Sequence, residues 1–307
     1  MTGITRKIRI GRITSAAIVV ALLMGLLYQC AINPAFEWGV FAQYFFFHKV
    51  LDGLKFTLWL TAVIMVISLV FGFGLAMVRL SENPVLKWLA WAYVWIFRSI
   101  PWLVQLLFWF NIGYFVRTFD INLPFFGSVT INLVDLISKE TAAILGLGLP
   151  LIATASEIIR GGIISVPKEQ TQAGKVLGLS DFRIATKIVL PQSLIAIVPS
   201  LGNMLVELIK GTSIVSVLAI SDLLYATQLI SANNFRIAPL LMVATIWYII
   251  ITSITSVLQI QLERLINTRT KAKRTNRARE SVKLVATKHV KVPVMREASP
   301  VVQGGLA

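Results

Sequence analysis

Six runs of apolar residues, each close to the length needed to cross a lipid bilayer, constrain this chain more than anything else in it. They fall at about 13–31, 54–80, 86–116, 141–164, 193–209 and 239–262, against the roughly 20 residues that a spanning helix requires. Hydrocarbon offers no partner to a backbone N–H or C=O, so such a run closes its own hydrogen bonds as a helix. With 56% hydrophobic and only 14% charged residues, the 307-residue chain lies outside the range of soluble domains. The expected fold is an all-α integral membrane protein with about six transmembrane helices. Arg98-Ser99-Ile100-Pro101 interrupts the third run, which predicts an interfacial piece followed by a spanning piece that starts near Pro101. A further apolar stretch at 212–230 contains Ser221, Asp222 and Gln228. Those polar residues favour a packed re-entrant element over a seventh span.

The net charge of +15 invites a nucleic-acid reading, but the placement of the charges argues against it. Four basic residues precede the first run, three lie between Arg79 and Arg98, five between Arg160 and Lys187, and eleven from Arg264 onward, which is 23 of the 29. A cytoplasmic N-terminus puts all four groups on the inner side, as the positive-inside rule requires. Both termini and the 165–190 loop are then cytoplasmic. Residues Arg6 to Arg12 before an apolar run have the form of a secretion signal, yet no small-residue cleavage site follows, and Tyr28-Gln29 before Cys30 does not suit lipoprotein processing. Residues 1–34 are therefore read as a basic start and a retained anchor. The basic tail, 264–307, is expected to be disordered, solvated and attracted to anionic lipid headgroups. No aromatics interleave its charges to support RNA binding. A single cysteine excludes an intramolecular disulfide.

Between the fourth and fifth runs lies Glu157 to Pro191, EIIRGGIISVPKEQTQAGKVLGLSDFRIATKIVLP. Pro167 can open a short helix at its first position, with Glu169 in the first turn against the positive end of the dipole. Ala173, Val176 and Leu177 give that helix an apolar stripe at spacings of three and four. Gly178 supplies the stop. Ser180 can cap a second short helix carrying Phe182 and Ile184, and Pro191 disfavours helical geometry at Leu190 while suiting the start of the next span. Periodicity alone leaves two readings open, an amphipathic loop on the lipid surface or a docking surface for another protein.

Little in the chain suggests catalysis. His48 and His289 have no metal-ligand companions, no phosphate-binding Gly-x-x-x-x-Gly-Lys-Ser/Thr loop occurs, and Gly72/Gly74 and Gly146/Gly148 suit helix packing. Polar groups within or at the edge of the runs include Arg98, Gln105, Glu140, Glu157, Arg160, Asn203, Glu207, Lys210 and Asp222. A charge at mid-membrane costs about 2.5–3.5 kcal/mol, so each should face a partner or a wet cavity. Glu157/Arg160 and Glu207/Lys210 are each three apart, so each pair can meet on one helix face. Gln105, Asn203, Glu207, Lys210 and Thr212 are the candidate contacts for a polar solute in transit. Glu207 would suit a cationic side chain, and pairing with Lys210 would explain it equally.

Gln172-Ala173-Gly174, then Gly178, then Ile188-Val189-Leu190-Pro191 resembles the cytoplasmic signature of ABC-importer permeases: Glu-Ala-Ala, three residues, Gly, nine residues, Ile, any residue, Leu, Pro. Gln172 stands where the family has Glu, and Gly174 where it usually has Ala. Gly53 to Thr57, Arg79-Leu80-Ser81, Phe97-Arg98, Pro101, Leu103-Val104-Gln105, Glu157 to Ile163, Leu190-Pro191-Gln192, Asn203 and Lys210-Gly211-Thr212-Ser213 are similar to the polar-amino-acid branch. Ser99-Ile100 and Thr154 depart from it. The resemblance implies a type I ABC-importer permease domain over 35–263 with an extra N-terminal helix, in a bacterial inner membrane. It implies a non-catalytic subunit with no cofactor of its own, two ATPase partners that use ATP-Mg, a second permease subunit and an extracytoplasmic solute-binding protein. Gln172, Ala173, Gly174, Leu177, Gly178, Phe182, Leu190 and Pro191 would dock and couple the ATPase. The alternative is a stand-alone ion-coupled secondary transporter, which would usually show more spans or a repeated half.

Overall fold

The computed structural model describes residues 10–123, 127–132 and 137–288. The basic residues Arg6, Lys7 and Arg9 and the end of the tail, 289–307 with His289, lie outside them. Five helices among the described residues are long and apolar enough to span: α1 (Ile10–Ile32), α3 (His48–Leu80), α6 (Lys139–Ile164), the continuous segment Asp181–Leu218 that contains α9 (Leu190–Gly211), and Ile237–Ile266 at the start of α11 (Ile237–Lys288). A short helix, α2 (Trp38–Phe45), leads into α3, and a sixth span is divided, with α4 (Pro84–Ser99) and α5 (Trp102–Phe110) meeting at a bend of 100°.

That bend has two causes. Ile100 precedes Pro101 and is extended at φ −95°, ψ 129°, so α4 stops there. Gln105 then reaches back from the first turns of α5 and donates its amide to the carbonyls of Phe97 and Ile100 at 2.8 and 2.9 Å, bonding otherwise orphaned acceptors at the end of α4. The break is where the sequence places it. The piece after it, however, is only nine residues long and does not span by itself. A two-stranded antiparallel hairpin follows, β1 (Thr118–Leu123) with β2 (Gly127–Asn132), the one sheet among the described residues.

Helices α3 and α6 form the centre of the bundle. Gly72 lets them close: a Cβ there would stand 2.7 Å from the Cβ of Ala155. Gly146 does the same against α5, where a Cβ would come within 2.6 Å of the Leu106 backbone, whereas Gly74 and Gly148 meet nothing and need another reason. Leu60, Ile64, Leu106, Leu147, Leu151, Met204 and Leu208 fill this core.

A second cluster, with Val50, Ile209, Leu223, Leu240 and Val243, holds the segment after α9. There a 3-10 turn (Thr212–Leu218) leads through left-handed Ala219 into the twelve-residue α10 (Leu223–Asn234), too short to span. Asp222 is fully buried and caps α10, accepting from the Leu224 and Tyr225 N–H groups and from the Tyr248 hydroxyl. Thr57 Oγ1 of α3 accepts the Leu223 N–H at 3.1 Å. Residues 212–230 are thus a packed element, and of the polar residues that interrupt it Asp222 is the one that pins it, while Ser221 and Gln228 are exposed.

Two expectations are corrected here. Leu190 is helical, because the short helix α8 (Asp181–Ile184) passes through a π turn, Ala185–Val189, straight into α9. Pro191 has no N–H to give, and the wider π turn before it makes room for its ring. The helix α11 continues through the basic run to Lys288, where disorder was expected from 264. Residues 264–288 contain neither Gly nor Pro and are rich in Lys, Arg and Ala, all strong helix formers.

Candidate functional site

The loop between α6 and α9 is built so that its apolar stripe faces away from the protein. Its first helix, α7, runs Lys168–Val176 with Pro167 at the N-cap, one position earlier than the sequence suggested. Gly178 ends it at φ +71°, in the left-handed region that favours glycine. Gly178 N–H bonds to the Lys175 carbonyl at 2.9 Å and Leu179 N–H to that of Gly174 at 3.0 Å, the two bonds of a Schellman stop. Gly174 is buried, and a Cβ there would press on Ile184 and Ile188 at 3.0–3.3 Å. The short helices therefore pack through Gly174 and Ile184, and Gln192 donates to Gln170 Oε1 at 2.5 Å to tie the loop to α9. Val176, Leu177 and Phe182 are left 88%, 77% and 77% exposed.

The second feature is a cavity of about 210 Å³ beside the middle of α6, lined by Arg98, Trp102, Pro150, Leu151, Thr154, Met204 and Glu207. Arg98 comes from the end of α4, Trp102 from the start of α5 across the bend, and Glu207 from α9. Neither Arg98 nor Glu207 has an ion pair or side-chain hydrogen bond among the described residues, so their charges are open to the cavity. Arg98 also lines a neighbouring cavity of about 300 Å³ with Arg79, Trp91, Trp95 and Glu157. There Glu157 is held by Arg79 of α3 and by Arg160 Nη2 at 2.9 Å.

Residues 68–268 match the family described as the binding-protein-dependent transport system inner membrane component. The chain belongs to this family. The permease is 38% identical over 256 residues to the arginine transport system permease protein ArgU of Corynebacterium glutamicum, covering 83% of this chain and 79% of that one. It is 32% identical over 218 residues to the putative glutamine transport system permease protein GlnP of Rickettsia typhi, covering 71% and 93%. Among solved structures, an amino acid ABC transporter with histidines superposes with a TM-score of 0.61 at 28% identity, covering 70% of the permease and 93% of that chain. The permease is thus of the amino-acid ABC importer kind, helical and multi-pass.

Of the residues expected along a solute path, only Glu207 lines the cavity. Gln105 is 3% exposed and committed to the bend, and Thr212 is fully buried with its hydroxyl donated to the Ile209 carbonyl at 2.7 Å. Asn203 accepts from Gln259 at 3.2 Å. Lys210 is exposed and forms no ion pair with Glu207, which lines the cavity. Glu157 and Arg160 do meet, and Arg79 joins them from another helix. Sequence reasoning missed Trp102 as a lining residue, and did not count Arg98 or Thr154 among the contacts; only the bend brings the first two to α6.

In the loop, Gln172, Ala173, Leu177 and Phe182 are exposed, as docking requires, and Val176 joins them. Gly174 and Gly178 shape the loop from within. Leu190 is half-exposed and Pro191 partly buried at its root. Ser180 stands at the N-cap of α8, but its side chain makes no capping bond.

Proposed function

We propose that this permease passes polar amino acids inward through the Arg98/Glu207 cavity, driven by ATPase subunits that dock on Val176, Leu177 and Phe182. The outward-facing apolar stripe carries this reading: a loop that packs its own glycine inward and leaves three large side chains uncovered is built for a partner. The segregation of basic residues supports a cytoplasmic position for it, with both termini on that side. ATP-Mg would be bound and hydrolysed in the partner, and this chain would be non-catalytic. Two ATPase subunits, a second permease copy or paralogue and an extracytoplasmic binding protein complete the proposed assembly.

Arg98 and Glu207 suit a zwitterion, the guanidinium taking the α-carboxylate and the carboxylate an ammonium or cationic side chain. Unpaired charges inside a membrane-embedded bundle are costly unless water or a solute reaches them, and Arg98 and Glu207 line one cavity, which supports a wet pathway. Alternating access follows if ATPase closure moves the docked loop and, through it, α6 and α9. Relatives named for arginine and glutamine transport support amino acids as the solute class.

The test is uptake of labelled arginine, glutamine and glutamate into proteoliposomes holding the permease with its ATPase and binding protein. ATP-dependent uptake is expected, with Glu207→Gln lowering arginine uptake relative to glutamine. Uptake driven by a proton or sodium gradient without ATP would establish a secondary transporter instead.

A further inference from the structure

Gly211 is the last residue of α9, and its backbone has ordinary helical angles, φ −65° and ψ −27°. Nothing in that conformation calls for glycine, which is a poorer helix former than alanine. What calls for it is Trp102. A Cβ on Gly211 would stand 2.3 Å from Cζ3 and 2.9 Å from Cε3 of the indole, where ordinary contact begins at 3.4 Å. The six-membered ring thus sits in the space that a side chain at 211 would occupy. Trp102 lines the cavity with Arg98 and Glu207, and it is the first residue of α5 beyond the bend, packed against the main core.

We propose that Gly211 and Trp102 form the gauge that sets which side chain the cavity accepts, and that they favour long cationic ones. The inference rests on the import reading and adds a selecting pair to it. With Gly211 leaving room, the indole lies back against α9 and the cavity keeps its depth beside Glu207. A long side chain ending in a guanidinium or ammonium then has an aromatic surface on one side and a carboxylate on the other, both favourable to positive charge. Restoring ordinary contact to a side chain at 211 takes a shift of about 1 Å, from 2.3 Å to 3.4 Å. Held by the core on one side, the displaced ring moves into the cavity that it lines. The depth available to a long substrate falls, and a short one is affected less.

The experiment compares ATP-driven uptake of arginine and serine by the complete complex in proteoliposomes, for wild type, Gly211→Ala, and Gly211→Ala combined with Trp102→Phe. One binding protein serves all three samples, so a change in the arginine-to-serine ratio between them belongs to the permease. Gly211→Ala should lower that ratio about tenfold, the scale on which a pocket reads one methylene. The smaller phenyl ring of the double variant should raise it again. An unchanged ratio in Gly211→Ala overturns the inference. So does a lowered ratio, or a general loss of uptake, that Trp102→Phe fails to reverse, because a defect of helix packing alone would not respond to ring size. Wild-type complex that takes up neither solute with ATP would refute the import reading and this inference with it.

Discussion

Replacing Leu177 and Phe182 by alanine together should separate a docking loop from a loop that only looks amphipathic. Both side chains are 77% exposed in the isolated chain, so truncating them removes little from the fold. Fully burying a Leu or Phe stabilises by about 1.5–3 kcal/mol, and covering the exposed 77% of each is worth about 1.2–2.3 kcal/mol. At 1.4 kcal/mol per tenfold, each truncation should weaken ATPase binding by about seven- to forty-fold, with the two effects not strictly additive between neighbours. The assay is titration of the purified ATPase onto permease in lipid nanodiscs, with thermal unfolding of the permease alone as control. The Tm of the permease should hold, since exposed substitutions usually change stability by less than about 0.5 kcal/mol. Undiminished ATPase affinity in the double variant would refute the argument, because the stripe would then be covered by something other than the ATPase.

Gly178→Arg should leave the protein in the membrane yet abolish ATPase co-purification and uptake: the left-handed turn at φ +71° costs a non-glycine residue about 1–2 kcal/mol, concentrated on the loop. An intact, active complex would show that the Schellman stop is dispensable. Asp222→Ala should lower the Tm, since it removes an N-cap worth about 0.5–2 kcal/mol and strips the Tyr248 hydroxyl of its acceptor. Asp222→Asn keeps a capping oxygen and should lie between that variant and wild type in the same melt; equal melting of the alanine variant and wild type would contradict the pinning role.

Sequence patterns carried most of the helices because the bilayer leaves so few alternatives. Where they fell short, the missing information lay in contacts between distant residues. Pro101 marks a break, but its 100° angle depends on the Gln105 amide finding two carbonyls across the turn. That bond also removes Gln105 from the solute path, although a polar residue in an apolar run invites the opposite reading. The hairpin left a signal that helix-length windows pass over: Phe119, Ile121 and Leu123 alternate, as do Val129 and Ile131, around Pro124 and Gly127. Gly174 was legible only as a departure from a family pattern. Packed on Ile184 and Ile188, it lets the two short helices close without a side chain between them.

The continuity of Asp181–Leu218 bears most directly on how a docked loop could act on the cavity. Two helices separated by a hinge at Leu190 would let the loop move while the span stayed still. The π turn at Ala185–Val189 keeps a single helical path instead, with exposed Phe182 near one end and Glu207 toward the other. At about 1.5 Å per residue, those two residues are roughly 37 Å apart along the helical path. A displacement imposed at Phe182 would therefore travel one continuous helical path, through the π turn and past Pro199, to the stretch that carries both Glu207 and Gly211. The Gln192–Gln170 bond and the Gly174–Ile184 packing lock α7 to the same axis. Trp102, by contrast, belongs to α5 and packs against α6 and the core. Moving α9 relative to α5 changes the Gly211–Trp102 contact and the Glu207 wall together, so the elements that would receive the partner's motion are also those that shape the cavity.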